Sequence, residues 1–179
     1  GDRLGNMWKF DFSGGTPIVA FGGDPMFTIP TGQPITIGLA LGRDPTTNKA
    51  WIFFGTGSYL SKDDPADVSV QTIYGVIDES SATLTKSDLM QRKIIVTTTV
   101  NGTALRGFEP PSDLTAGKQG WYVDLDQPTP GERVTNRPQL VGTVLVFASI
   151  IPATDVSCDA GGSGYVNALD AFSGASTSE

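Results

Sequence analysis

Gly5-Asn6-Met7-Trp8-Lys9-Phe10-Asp11-Phe12-Ser13-Gly14 and Gly164-Tyr165-Val166-Asn167-Ala168-Leu169-Asp170-Ala171-Phe172-Ser173-Gly174 are two renderings of one pattern. In each, a glycine is followed five residues later by a large apolar residue and then at once by aspartate, with a Ser-Gly turn soon after. A strand-plus-turn unit that recurs near both ends of a chain points to a repeated sheet architecture, and a propeller blade is the leading candidate. Within the first copy, Trp8, Phe10 and Phe12 alternate with Lys9 and Asp11. That period of two predicts a strand whose aromatic face is buried and whose polar face meets water.

Working outward, the remaining sequence repeats this grammar. Ile35, Ile37, Leu39 and Leu41 alternate with Thr36, Gly38 and Ala40, which reads as another half-buried strand. Ala50-Trp51-Ile52-Phe53-Phe54 is unbroken and apolar up to Gly55-Thr56-Gly57, as in a strand covered more fully. Residues 70–77, the alternating Trp121, Val123 and Leu125, and residues 144–151 supply further strands. Asn101-Gly102 separates two β-branched runs and predicts a type I′ hairpin, because both residues tolerate positive φ. The sequon formed with Thr103 needs no separate explanation. Only residues 86–92 suggest a helix, about two turns long, with Ser87 or Asp88 near its start and Leu89 and Met90 as its apolar contacts. No linker divides the chain, so residues 1–172 are read as one all-β unit. The Ser- and Gly-rich tail, 173–179, is expected to fray.

Composition narrows the function. The 22 glycines and 12 prolines suit many short strands joined by turns. A net charge of −7 with scattered Lys and Arg argues against nucleic acid, which demands a dense cationic face. Histidine is absent, which removes histidine-based triads and histidine metal ligands. The single cysteine, Cys158, allows no disulfide within the chain and reads first as a small buried hydrophobe, with pairing to a residue outside this stretch as the alternative. The longest apolar run, 140–151, is too short to span a bilayer. Gly1 is followed by no basic-then-apolar leader, and the chain is read as a processed or excised piece of something longer.

Motifs with chemical potential are few. Lys62-Asp63-Asp64-Pro65-Ala66-Asp67 is the densest acidic cluster, yet it lacks the alternating spacing and central glycine of a calcium loop. It reads as a solvated loop. Asp124 with Asp126, and Asp78 with Glu79, are the pairs that acid–base chemistry could recruit, but ordinary surface carboxylates explain them far better. Gly55-Thr56-Gly57-Ser58 and Gly161-Gly162-Ser163-Gly164 lead into strand sequence rather than the Lys-Ser/Thr and helix of a phosphate loop. Trp8, Trp51 and Trp121 could stack sugars, but their strand patterns favour core packing. No catalytic, cofactor-binding or metal-ligating residue is assigned.

The opening Gly1-Asp2-Arg3-Leu4-Gly5-Asn6-Met7-Trp8-Lys9-Phe10-Asp11 resembles the GDxxGNxWxFD segment of the PilC/PilY type IV pilus-tip adhesins. Further similar segments follow in family order. They are Phe54-Gly55-Thr56-Gly57-Ser58-Tyr59-Leu60, Gln71-Thr72-Ile73-Tyr74-Gly75-Val76-Ile77-Asp78, Gly120-Trp121-Tyr122-Val123-Asp124-Leu125, Glu132-Arg133-Val134, and Cys158 with Gly161-Gly162-Ser163-Gly164-Tyr165. The resemblance implies part of a modified β-propeller with antiparallel blades in an incomplete ring. It further implies a place on the bacterial cell surface at the pilus tip, associated with the outer membrane. Implied roles are adhesion to a host surface, pilus assembly with minor pilins, and restraint of retraction in twitching motility. Many members carry an Asp-rich calcium loop just before the GDxxGN segment, so calcium is expected of a longer parent and no cofactor of this stretch. At about 40–50 residues per blade the chain holds about four blades at most. It is therefore expected to pair with the rest of its propeller or to form an open sheet stack. Residues 43–49, 61–68 and 108–120 are the loops expected to make contacts. The alternatives are a fragment of a quinone-dependent dehydrogenase propeller and a carbohydrate-binding propeller.

Overall fold

The computed structural model describes residues 1–29, 33–153 and 162–177. In chain order the strands are β1 (Asn6–Met7), β2 (Phe10–Asp11), β3 (Ile18–Val19), β4 (Phe27–Thr28), β5 (Ala40–Arg43), β6 (Ala50–Gly55), β7 (Thr72–Ile77) and β8 (Leu84–Thr85). They continue with β9 (Met90–Arg92), β10 (Ile94–Val100), β11 (Thr103–Phe108), β12 (Gly120–Asp124), β13 (Gln139–Val141), β14 (Val144–Pro152) and β15 (Gly162–Asp170). The chain is all-β, and among the described residues there is no α-helix.

Three sheets stack face to face, and none closes on itself. The central one runs β5-β6-β7-β12-β9, antiparallel except for the β12–β9 pair. Its inner strands β6 and β7 are apolar along nearly their whole length because both of their faces are covered. On one face Trp51, Phe53, Ile73, Trp121 and Val123 meet Leu145, Phe147 and Leu169 of the sheet β13-β14-β15. On the other, Phe54, Tyr74 and Val76 meet Met7, Phe27 and Leu84 of the sheet β1-β4-β8. Aromatic edges and faces fill both seams, as where Phe27 packs against Phe54 and Tyr74 with centroids 5.8 and 5.3 Å apart. Two hairpins, β2–β3 and β10–β11, stand as separate two-stranded sheets. The Asn101-Gly102 turn joins β10 to β11 with φ of 50° and 80°, as a type I′ turn requires.

Several sequence expectations change here. Residues 86–92 form no helix: a single 3₁₀ turn, Lys86–Asp88, leads into β9. The Asp88 carboxylate accepts the Thr85 N–H at 2.7 Å and closes that turn, while Leu89 is drawn into the core and Met90 pairs with Trp121. Tertiary pairing overrides the local helical preference. The alternating stretch 35–41 is a strand only from Ala40, with Ile35 making one isolated bridge to Gly57 and Leu41 exposed. At the amino terminus the face is reversed. Met7 is buried, whereas Phe10 and Phe12 are 53% and 71% exposed and Trp8 is half-buried. The tail that sequence expects to fray is held as far as it is described: Ala175 is buried, and the Ser176 N–H donates to the Glu109 carbonyl at 2.9 Å. Cys158 and Gly161 lie outside the described residues.

Candidate functional site

The strand ends bring two of the three expected contact loops together. Residues 43–49, joining β5 to β6, and residues 108–120, joining β11 to β12, flank an open cleft of about 490 Å³. Trp51 and Phe172 contribute its apolar wall, with ring centroids 5.8 Å apart. The rim is polar and internally committed. The Asp44 carboxylate accepts the Thr46 N–H at 2.9 Å and the Thr47 hydroxyl, which fixes the first loop. Lys49 pairs with Glu79 at 2.9 Å, and Lys118 donates to the Ser87 carbonyl at 2.6 Å. Asp170 accepts the Ser173 N–H and hydroxyl, each at 2.8 Å. The Trp51 indole N–H is buried with no partner among the described residues. Such a cleft suits recognition of a surface, with an apolar wall and a rim of hydroxyl and carbonyl groups.

The third loop, 61–68, is organised elsewhere. Asp64 accepts the Ser58 hydroxyl at 2.6 Å and the Ser61 hydroxyl at 2.7 Å, with the Leu60 and Ser61 N–H groups completing the set. The Ser58 and Ser61 hydroxyls, followed by those backbone donors, hold its carboxyl far below the usual carboxylate range. Arg133, almost wholly buried, donates to the carbonyls of Ser58, Asp64, Asp67 and Gly131 and so clamps the same loop from beneath. Gly57 permits that approach, since a Cβ there would collide with the Arg133 side chain. The acidic cluster therefore does structural work.

Of the four candidate acid–base carboxylates, Asp126 is exposed and the other three are drawn into other partnerships. Asp124 accepts Thr72 Oγ1 and Lys86 Nζ, both at 2.6 Å. Thr72 continues inward through Gln33 to the Tyr74 hydroxyl, with links of 2.9 and 2.7 Å. Burial pushes the Tyr74 phenol well above its ordinary value, so it stays neutral. Asp78 pairs with Lys9 at 2.7 Å, while Glu79 turns to Lys49. Trp51 and Trp121 sit in the core as expected, but Trp8 does not; its indole N–H donates to the Asp2 carboxylate at 2.8 Å. No group of three or more His, Cys, Asp or Glu among the described residues is placed to hold a metal.

Two features escaped composition and periodicity. Asp2 organises the opening motif by accepting the N–H groups of Leu4 and Asn6 as well as Trp8. Arg106 and Glu132 form a buried ion pair at 2.7 Å, with side chains only 3% and 0% exposed, and the guanidinium lies 3.5 Å from the Tyr165 ring centroid. Arg106 Nε and Nη1, Glu132 Oε1 and Asn167 Oδ1 have no further partner among the described residues. This cluster locks the β10–β11 hairpin onto β15. The similarity of Glu132-Arg133-Val134 to a family segment was the one signal pointing there.

No family model matches the chain. It is 36% identical to a Xylella fastidiosa protein named type IV pilus biogenesis factor PilY1 homolog, over 97% of this chain and 14% of that protein. To the Pseudomonas aeruginosa PAO1 protein named type IV pilus biogenesis factor PilY1 it is 28% identical, over 99% of this chain and 19% of that protein. The crystal structure of the P. aeruginosa PilY1 C-terminal domain superposes with a TM-score of 0.80 at 26% identity, covering 99% of this chain and 44% of that one. The chain belongs to the PilC/PilY family. It corresponds to part of the PilY1 C-terminal domain and spans no more than about one fifth of the curated relatives it matches. Within that family frame, the organised features lie on the quoted segments. Asp2 and Asn6 belong to the GDxxGN opening, Arg133 to Glu132-Arg133-Val134, and Trp121 to Gly120-Trp121-Tyr122. None of the described helical turns is long and apolar enough to cross a membrane.

Proposed function

We propose that this chain is a non-enzymatic stretch of a type IV pilus biogenesis factor, acting at the bacterial cell surface through protein–protein contact. The 36% identity to a relative so named, across 97% of the chain, carries the reading. Its stacked open sheets serve as blades of a modified propeller completed by the rest of the polypeptide, and the cleft between residues 43–49 and 108–120 presents the contact surface. On this reading the partner is a minor pilin or another pilus-tip protein, and the stretch contributes to adhesion to a host surface and to restraint of retraction. It uses no cofactor of its own, calcium belonging to the longer protein.

Deleting the gene in the source bacterium tests this. Surface pili are expected to be lost and to return with the wild-type gene. A variant carrying Gly-Ser replacements of residues 44–48 and 113–117 is expected to accumulate at the wild-type level without restoring them. Normal piliation in the deletion strain would overturn the proposal.

A further inference from the structure

Oxidisable sulfur is scarce in this chain and unevenly placed. Of its three methionines, Met7 and Met26 are 2% and 1% exposed, in the seam between the central sheet and β1-β4-β8. Met90 differs: it opens β9 at the edge of the central sheet and is half-buried. The one cysteine, Cys158, lies outside the described residues. Among the described residues, Met90 is therefore the sulfur that a small oxidant in solution meets first.

Met90 also ties down one rim of the cleft. The Thr115 N–H and the Thr115 hydroxyl both donate to its sulfur, at 3.5 and 3.7 Å. A thioether is a weak acceptor, so this tie is a light one. Further along, the loop is fastened independently: Lys118 Nζ donates to the Ser87 carbonyl at 2.6 Å and the Gln119 N–H to the Asp88 carbonyl at 2.9 Å. Thr115, Ala116 and Gly117 are exposed and line the cleft beside Trp51 and Phe172.

An oxygen added to that sulfur does not fit the present contact. A hydrogen bond from nitrogen to oxygen needs about 2.9 Å by itself. The sulfur–oxygen bond comes in addition, whereas only 3.5 Å separates Thr115 N from the sulfur. An oxygen on the lone pair that faces Thr115 therefore pushes the loop outward. An oxygen on the other lone pair leaves a partly positive sulfur facing two donors. Either way the tie is lost.

We propose that Met90 is a site of reversible modification, oxidised by a peroxide to the sulfoxide, and that this frees the 113–117 rim of the cleft. In the step, a sulfur lone pair attacks one peroxide oxygen, the O–O bond breaks and an S–O bond forms. The departing hydroxide takes the proton left on the transferred oxygen and leaves as water, so the sulfur is oxidised and the peroxide reduced. Methionine sulfoxide reductases return the thioether. The effect on partner contact rests on the reading of the cleft as the contact surface; the modification itself does not.

Peptide mapping and hydrogen exchange of the full-length gene product, treated with hydrogen peroxide, test it. Peptides containing Met90 are expected to gain an oxygen at least about tenfold faster than those containing Met7 or Met26. In the oxidised protein the Thr115 and Lys118 amides are expected to exchange about threefold faster or more, with those of the buried Ile73 and Val123 unchanged. Methionine sulfoxide reductase with dithiothreitol should restore the original rates. Met90→Leu, close to methionine in volume, should make the loop indifferent to peroxide. Equal oxidation of the three methionines, or a sulfoxide at Met90 with unchanged exchange at Thr115, would overturn the inference. So would a Met90→Leu loop that still responds to peroxide. Any of these results would leave the pilus reading standing. Normal piliation in the deletion strain would strike that reading and leave the oxidation of Met90 intact.

Discussion

The two copies of the repeated unit share a sequence pattern and end in opposite states. The carboxyl-terminal copy extends through β15, pairs along nine residues with β14, and turns its apolar face onto the central sheet. The amino-terminal copy breaks into two short strands and shows its aromatic residues to solvent. Local chemistry is nearly the same in both. Asp11 accepts the Ser13 N–H at 2.8 Å as Asp170 accepts that of Ser173. The difference teaches that the turn is set by neighbours in sequence, whereas the length of the strand and the burial of its face depend on the sheet laid against it.

The comparison can be broken most sharply at the device that locks the second copy. Arg106→Met leaves Glu132 buried without its partner and should cost about 3–5 kcal/mol in urea unfolding of the chain; a loss below 1 kcal/mol would show that the pair does not hold the hairpin to β15. Next comes Leu169→Ala, expected to cost about 2–5 kcal/mol, against a change within about 0.5 kcal/mol for Phe10→Ala at the matching exposed position. Equal costs at the two positions would erase the contrast. Trp121→Phe shrinks the buried ring and strands the Ala171 carbonyl, and a loss of at least about 1–3 kcal/mol is expected from the same unfolding curves.

The smallest effect concerns acid. Burial pushes the Asp2 carboxyl upward, yet the hydrogen bonds from Trp8, Asn6 and Leu4 outweigh it and hold the group below its ordinary 3.8. A folded value below the unfolded one means that the stabilisation is fully present above 3.8 and is lost as pH falls through the folded value. The Trp8 indole N–H resonance should therefore move only below that ordinary value, and should cease to titrate in Asp2→Asn. A shift already complete above it would contradict the arrangement.

Much of the fold was legible because the strongest strands carry their own signals. Ala50-Trp51-Ile52-Phe53-Phe54 is apolar throughout and is indeed the strand β6, paired on both sides in the central sheet. Asn101-Gly102 specified its turn through positive φ alone. Residues 86–92 were misread since a capping residue followed by Leu89 and Met90 says nothing about the vacant edge of β12, which recruits Met90 as a strand. The amino-terminal alternation was legible as a strand pattern, but which of its faces is buried is not local information. For the cleft, composition marked residues 43–49 and 108–120 as loops, and only the stacking of sheets brings them to one place. Arg133 was marked only by the family segment it belongs to, and its clamping role was not legible for a related reason. Besides Gly131, its acceptors are backbone carbonyls 66 to 75 residues away, at Asp67, Asp64 and Ser58, and carbonyls leave no trace in sequence.

The functional claim meets its most direct test in mass spectrometry of pili sheared from the source cells. Recovery of peptides from this chain in substoichiometric amounts beside the minor pilins, and their disappearance when pilus assembly is blocked, is the predicted result. Absence from the pili, with full recovery in the soluble periplasmic fraction, would contradict the account.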